Sequence, residues 1–155
     1  MKSSCFVRII TTPIGTVIAK ANDNALTYLD FIDDLSVAYE NSDYPLLIQL
    51  EVELGEYFAK KRRHFTIPLS LSGTIFQKGV WDTLLKIPYG STLSYADEAK
   101  IFGNPKATRA VANANSKNPI SILIPCHRVI SSSGSIGGYS GGLWRKEFLL
   151  SLEKE

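Results

Sequence analysis

Cysteine and histidine are scarce in this 155-residue sequence, with two of each: Cys5, Cys126, His64 and His127. None of them sits in a CxxC or HxxxH spacing, so the inventory does not support a four-ligand zinc site. No apolar run approaches the ~20 residues that a membrane span needs, and no membrane partner is expected. The opening MKSSCFVRII has neither an apolar signal core nor a small-residue cleavage site. The expected compartment is therefore the cytoplasm, where the two cysteines read as free thiols rather than as one disulfide. Each thiol then needs its own explanation.

A further absence is local. From Ala99 to Lys146 there is no acidic residue, while Lys100, Lys106, Arg109, Lys117, Arg128, Arg145 and Lys146 give that stretch a net charge of +7. Residues 1–98 carry nine basic and twelve acidic side chains, a net of −3. The overall +2 thus hides a strongly basic segment. One-sided charge points to a polyanion-facing surface, for which nucleic acid is the commonest partner, although a merely solvated basic face gives the same count.

What is present suits a folded protein. Apolar residues make up 45% and charged ones 21%, enough for a core under a polar surface. The length fits one domain, or a small lobe joined to a larger one. Phe6–Thr11, Thr16–Lys20 and Leu26–Phe31 read as short strands, separated by turn signals at Pro13-Ile-Gly15 and Asn22-Asp-Asn24. Over residues 46–62 the period changes. Leu47, Leu50, Leu54 and Tyr57/Phe58 share a helical face, and Lys60-Lys-Arg-Arg63 suits a helix C-terminus rather than a DNA contact. Residues 64–73 read as a connection between lobes.

A second helix is expected from about Thr74 to before Pro88, with Phe76, Val80 and Leu84 at four-residue steps. Ser94 can cap a third, Tyr95–Phe102, which Gly103 ends; Asn104-Pro105 opens a fourth. Helix, short glycine turn, helix is the helix-turn-helix signature. On the fourth helix Ala107, Ala110 and Ala114 form a small-residue stripe beside Arg109. Such a stripe lets a backbone approach a groove, and equally lets helices pack closely in a core.

Ile120–Ile130, ISILIPCHRVI, is the most apolar stretch and reads as a buried β segment broken at Pro125. A cysteine in an apolar run is usually an inert core thiol. Here His127 and Arg128 follow it, and cationic neighbours favour the nucleophilic thiolate. On an extended chain Cys126 and His127 would point to opposite faces. Either the chain turns at Pro125-Cys126 or a water joins sulfur and ring. A carboxylate is needed to fix the histidine tautomer. After Glu98 the carboxylates are Glu147, Glu153, Glu155 and the C-terminus, and Glu153 lies on an apolar helix able to pack back. The Gly/Ser loop from Ser131 to Gly142, containing Tyr139, leaves backbone N–H groups open to a ligand.

Together these residues resemble the O6-alkylguanine-DNA alkyltransferase family. The match covers about residues 76–153 and rests on Ile124-Pro-Cys-His-Arg-Val129, Arg109-Ala-Val, Asn118-Pro119, and Gly138-Tyr-Ser-Gly-Gly-Leu143 with Lys146 and Glu153. The resemblance implies an α+β fold: a β-rich, ribonuclease-H-like lobe over 1–70 and a winged-helix-like alkyltransferase and DNA-binding domain over 71–155. It implies that Cys126 accepts the alkyl group, activated through a water by His127, which Glu153 holds. Asn118 ties the recognition-helix turn to the active-site segment, Arg109 enters the duplex where guanine flips out, and Tyr95 pushes on the phosphate and donates to guanine N3. Lys106, Ala107, Thr108 and Arg128 are implied as further DNA contacts. Val129 and Ser140 read the guanine, Tyr139 walls the pocket, and Gly141 and Lys146 complete the substrate site. The implied partner is double-stranded DNA carrying O6-alkylguanine, with O4-alkylthymine left open. The protein would act as a monomer without a cofactor or metal, and the zinc site of some members lacks its ligands here. Ala112 and Ser116 stand where the family often has glycine, and both are small enough for little effect.

Three other readings remain. An alkyltransferase-like lesion binder would have another residue in place of Cys126. A plain helix-turn-helix regulator would leave Pro125-Cys-His-Arg128 and Glu153 without purpose. A cysteine peptidase would place its cysteine and histidine far apart in sequence.

Overall fold

The computed structural model describes residues 5–33 and 41–154; Met1–Ser4 of the opening segment and Glu155 lie outside them. The chain divides into two compact units, Met1–Leu71 and Ser72–Glu155. No helix among the described residues is long and apolar enough to cross a membrane.

The first unit is a three-stranded antiparallel sheet in the order β1-β2-β3, with β1 at Phe6–Thr12, β2 at Gly15–Ala21 and β3 at Leu26–Phe31. The turns follow from side chains that bond their own backbone. Thr12 Oγ1 donates to the Gly15 carbonyl at 2.6 Å, and Asn22 Oδ1 accepts from the amides of Asn24 and Ala25. Helix α1, Pro45–Phe58, lays Leu47, Leu50, Leu54 and Tyr57 on the sheet, all essentially inaccessible to solvent.

The helix stops at Phe58, earlier than the periodicity suggests. Lys60 takes φ 61°, a left-handed conformation that ends the helical path, so the basic run follows the helix instead of forming its last turn. Residues 64–71 are also more than a connection. Leu69 bridges Leu26 in parallel, with the Leu26 amide donating to Pro68 and the Ser70 amide to Leu26.

The second unit is helical. Thr74 caps α2, Ile75–Leu85, in a reciprocal box with Gln77. Ser94 accepts from the Asp97 amide to cap α3, Tyr95–Phe102, and Gly103 at φ 107° ends it, where a side chain would be strained. Asn104 caps a 3-10 turn, Pro105–Ala107, and only then does α4 run from Thr108 to Ser116. Val80, Ala99, Val111 and Ala114 form the core of these three helices, backed by Phe76, Phe102 and Ala107. The Trp81 indole donates to the Ala114 carbonyl at 3.0 Å.

The alanine stripe therefore divides. Ala107 and Ala114 pack inward while Ala110 and Arg109 face solvent. Val111 pulls the helix face into the core because its burial removes more apolar surface from water than an alanine's does.

The segment before the cysteine is buried as its composition suggests, but it is not a strand. Residues 121–124 form turns, with Ile122 at φ 73°, and Cys126–Arg128 form a 3-10 helix. Only Val129–Ile130 is extended, as β5, pairing in parallel with β4 at Leu93–Ser94. Pro125 has no amide to give to a ladder, and Asn118 takes over as a local cap. Its Oδ1 accepts from the Ile120 amide and its Nδ2 donates to the Ile124 carbonyl. Helix α5, Leu143–Glu153, closes the unit against this turn.

Candidate active site

Cys126 opens into a pocket of about 460 Å³, walled by Tyr95, Ala112, Asn115, Ser116, Gly138, Tyr139 and Ser140. The 3-10 turn places the thiol there and sends His127 inward, resolving the geometric problem of adjacent residues. His127 is completely buried, and its Nε2 lies 2.7 Å from Glu153 Oε2. Burial pushes the imidazole pKa down, further than the Glu153 carboxylate pulls it back up, with Arg128 and Lys146 also lowering it. The ring is thus neutral at pH 7. With the carboxylate on Nε2, that nitrogen carries the proton and Nδ1 is left as a bare acceptor. Nδ1 is buried and has no hydrogen-bond partner among the described residues. A neutral base with its free lone pair inside the protein is what deprotonation of a neighbouring thiol requires.

Glu153 is a shared anchor. Arg128 donates to it through Nε at 2.8 Å and Nη2 at 3.1 Å, and through Nη1 to the Ile87 carbonyl. Arg128 is buried, with Nε, Nη1 and Nη2 each bonded within the unit, so it does not edge the open depression near the pocket and is not an uncompensated cation beside the thiol.

Lys146 holds that position instead. It is fully buried on α5, and its Nζ donates to the carbonyls of Val129 at 2.5 Å and Gly138 at 3.0 Å. Burial lowers its pKa to about 8, with the Cys126 charge acting the other way. It therefore stays mostly protonated at neutral pH, and a nearby ammonium favours a thiolate. Asn118 adds a donor, with Nδ2 3.3 Å from Cys126 Sγ.

Tyr95 lines the same pocket as the thiol. Its pKa is raised, by burial first and by the charges of Cys126 and Glu98, against a backbone hydrogen bond at Gly138. The loop comes so close that a Cβ on Gly137, already at φ 76°, would meet the Tyr95 hydroxyl at 2.8 Å. Glycine is required there both for its dihedral and for its lack of a side chain.

An open depression shares Tyr95 and Ala112 with the pocket and is edged by Lys106, Thr108 and Arg109. Of the expected site residues, Cys126, Tyr95, Tyr139 and Ser140 come together in the pocket, and Lys106, Thr108 and Arg109 beside it. Ala107, partly buried, packs its methyl against the helical core and does not edge that depression. Val129 is buried, with its carbonyl accepting from Lys146, and Gly141 accepts from Arg145 at 3.0 Å; neither lines the pocket. Of the seven cations between Lys100 and Lys146, Arg128, Arg145 and Lys146 are buried, so the exposed basic face is Lys100, Lys106, Arg109 and Lys117.

The sequence reading did not assign Asn115 or Glu98 to the site. Asn115 lines the pocket and bonds Glu98 behind it. Their pairing depends on how α3 meets α4, which no local pattern records.

A helix-turn-helix unit that buries one thiol beside a neutral, carboxylate-anchored histidine defines a class: proteins that take a group onto a single cysteine. Two family models narrow it. Residues 75–155 match the 6-O-methylguanine DNA methyltransferase, DNA binding domain, and residues 6–71 match the ribonuclease-like domain of the same proteins. The chain belongs to the 6-O-methylguanine DNA methyltransferase family. It is 42% identical to a methylated-DNA--protein-cysteine methyltransferase of Methanosarcina acetivorans over 96% of this chain and 97% of that one. With the protein of that name from Mycobacterium leprae, identity is 46% over 95% and 91%. A crystal structure of Mycobacterium tuberculosis OGT in complex with DNA superposes with a TM-score of 0.88 at 43% identity, covering 96% of this chain and 92% of that chain.

Proposed function

We infer that this chain repairs alkylated DNA by moving the alkyl group of O6-alkylguanine in duplex DNA onto Cys126, once per molecule. The observation that carries this is the buried Nδ1 of a neutral His127, next to a thiol that opens into a base-sized pocket. His127 takes the thiol proton, through a bridging water in the manner the family implies, while Glu153 steadies the imidazolium. Lys146 and the Asn118 amide stabilise the thiolate. Sulfur attacks the alkyl carbon; the C–S bond forms as the bond from that carbon to guanine O6 breaks. Guanine leaves with the electron pair and is neutralised by a proton at N3 from Tyr95, helped by a backbone donor at O6 from the Ser140 loop. The thioether has no leaving route, so the protein is spent.

A stacked base cannot present its O6 substituent to a buried sulfur, so the nucleotide must leave the helix. Arg109, exposed on α4 beside the pocket, is suited to fill the gap, and Lys106 and Thr108 to hold the backbone. Affinity then comes mainly from phosphates, as suits a lesion found in any sequence. Such a protein works where DNA is; in cells like those of its bacterial and archaeal relatives, that is the cytoplasm.

Intact mass after incubation with a duplex bearing one O6-methylguanine tests the reading. One methyl per chain, mapped to the Cys126 peptide, supports it. Binding without mass gain would make the protein a lesion-recognition module, and neither would return the regulator reading.

A further inference from the structure

One side chain in the Cys126 pocket has no part in the transfer chemistry. Asn115, buried on α4, donates through Nδ2 to Glu98 Oε1 on α3 at 2.7 Å. Glu98 is completely buried. Its other oxygen, Oε2, and the Asn115 Oδ1 are both buried without a hydrogen-bond partner among the described residues.

The two orphaned atoms belong to the same pair, and both are acceptors while Glu98 is ionised, so no bond can join them. Turning the amide over does not help, because Oδ1 would then face Oε1. A single proton on Glu98 does. A carboxylic acid and a carboxamide each carry one donor and one acceptor in a plane. They can join in a ring of two hydrogen bonds, Asn115 Nδ2–H to Oε1 and Glu98 Oε2–H to Asn115 Oδ1. That proton satisfies both orphans at once, where buried polar atoms are otherwise costly.

The surroundings favour the neutral acid. No ion pair reaches Glu98 among the described residues. The charged groups on the elements around α3 are Lys78 and Asp82 on α2, Lys106 on the 3-10 turn and Arg109 on α4, all exposed; β4 and β5 carry none. On α3 itself Asp97 and Lys100 are exposed, and Tyr95, one turn earlier, feels the charge of Glu98. Burial pushes the Glu98 pKa up to about 7, against the lowering effect of the Asn115 bond.

We propose that Glu98 is a positioning residue, holding its carboxyl as the neutral acid and fixing Asn115 in the wall of the Cys126 pocket through a two-bond ring, so that this wall loosens when Glu98 ionises. Ionisation leaves one bond, sets a carboxylate oxygen against the amide oxygen, and brings a like charge near Tyr95 whenever its phenol begins to ionise. The thiolate population rises with pH and would mask the loss in a simple rate profile. Glu98→Gln separates the two effects, since its carboxamide can give and take the same pair of bonds at every pH.

The test uses the whole chain with two readouts. Infrared difference spectra between about pH 5.5 and pH 8.5 report the carbonyl stretch of a protonated carboxyl, assigned by its loss in Glu98→Gln. Single-turnover methyl transfer is followed over the same range in the wild type and in Glu98→Gln. The band should titrate near neutrality, and the ratio of wild-type to variant rate should fall about three- to tenfold from acid to alkaline pH, the worth of one hydrogen bond. Absence of a Glu98 band at the acid end, or a rate ratio that stays flat, overturns the proposal. The transfer readout rests on the function inferred above. If the chain moved no methyl at all, that function would fail, and the infrared band would still decide the ring by itself.

Discussion

Each of the two units buries a glutamate completely, and their treatment is opposite. In the first, Glu53 on α1 accepts from Gln49 Nε2 at 2.7 Å, from the Thr66 amide at 2.7 Å and from the Thr66 hydroxyl, with Arg62 at 3.8 Å. Burial pushes its pKa up, but those hydrogen bonds and the arginine outweigh it and the net shift is downward. In the second, Glu98 has one bond and a pKa near 7. The first acid fastens the chain after α1 back onto the helix. The second sits behind a reactive pocket, close to His127 Nδ1 in kind: a polar atom left for a proton to complete. Glu53 is saturated and fastens structure, whereas Glu98 Oε2 and His127 Nδ1 are buried polar atoms without a hydrogen-bond partner among the described residues of the second unit.

The sharpest break in the comparison is at the thiol. Cys126→Ser should abolish the methyl mass gain while leaving melting almost unchanged, since the side chains differ little in size; residual transfer would mean a second acceptor, with Cys5 the first suspect. Next comes Glu153→Ala, which strands buried Arg128 and His127 and should cost about 3–5 kcal/mol in denaturant unfolding. A small loss there would show that Arg128 finds water.

The pH dependence of the two glutamates should have opposite signs. Glu98 binds its proton more tightly folded than unfolded. Its contribution is full below the ordinary carboxylate pKa of 4.5 and is lost as pH rises to about 7. Relative to Glu98→Gln, the wild type should lose on the order of 3 kcal/mol at most over that window. Glu53 contributes above pH 4.5 and loses its contribution as pH falls through its lowered folded value, so Glu53→Gln should flatten acid unfolding instead. Parallel slopes would erase the distinction between the units.

Smaller again, Glu53→Ala should cost about 1–3 kcal/mol of stability. Methyl transfer per folded molecule should stay close to wild type; a matching loss of transfer would make the first unit part of the site. Least visible in stability is Arg109→Ala, exposed on α4, which should shift unfolding by less than about 0.5 kcal/mol. It should nevertheless weaken binding to a lesion duplex in a fluorescence titration.

Much of this was legible in the sequence, where local chemistry governs. The three strands, the Thr74 and Ser94 caps and the Gly103 stop follow from turn and capping residues that act within a few positions of themselves. The contact between His127 and Glu153 was legible because few carboxylates follow Glu98 in the chain. The β reading of Ile120–Ile130 held only for Val129–Ile130, because β-branched composition speaks for burial, whereas Pro125 and the Asn118 cap settle the path before it. The +7 stretch overstated the basic surface, since net charge carries no information about which cations are buried against carboxylates and carbonyls.

By itself, the sequence pointed to most of the elements and to Cys126 and His127 as the candidate thiol and its candidate base. The tertiary structure alone decided that Arg128 belongs to Glu153, that Lys146 is the cation near the sulfur, and that Asn115 meets Glu98. Those choices depend on desolvation. A charge or amide acquires its pKa and its partner only when packing removes water from around it, and packing joins residues that lie 17 to 41 positions apart in the chain.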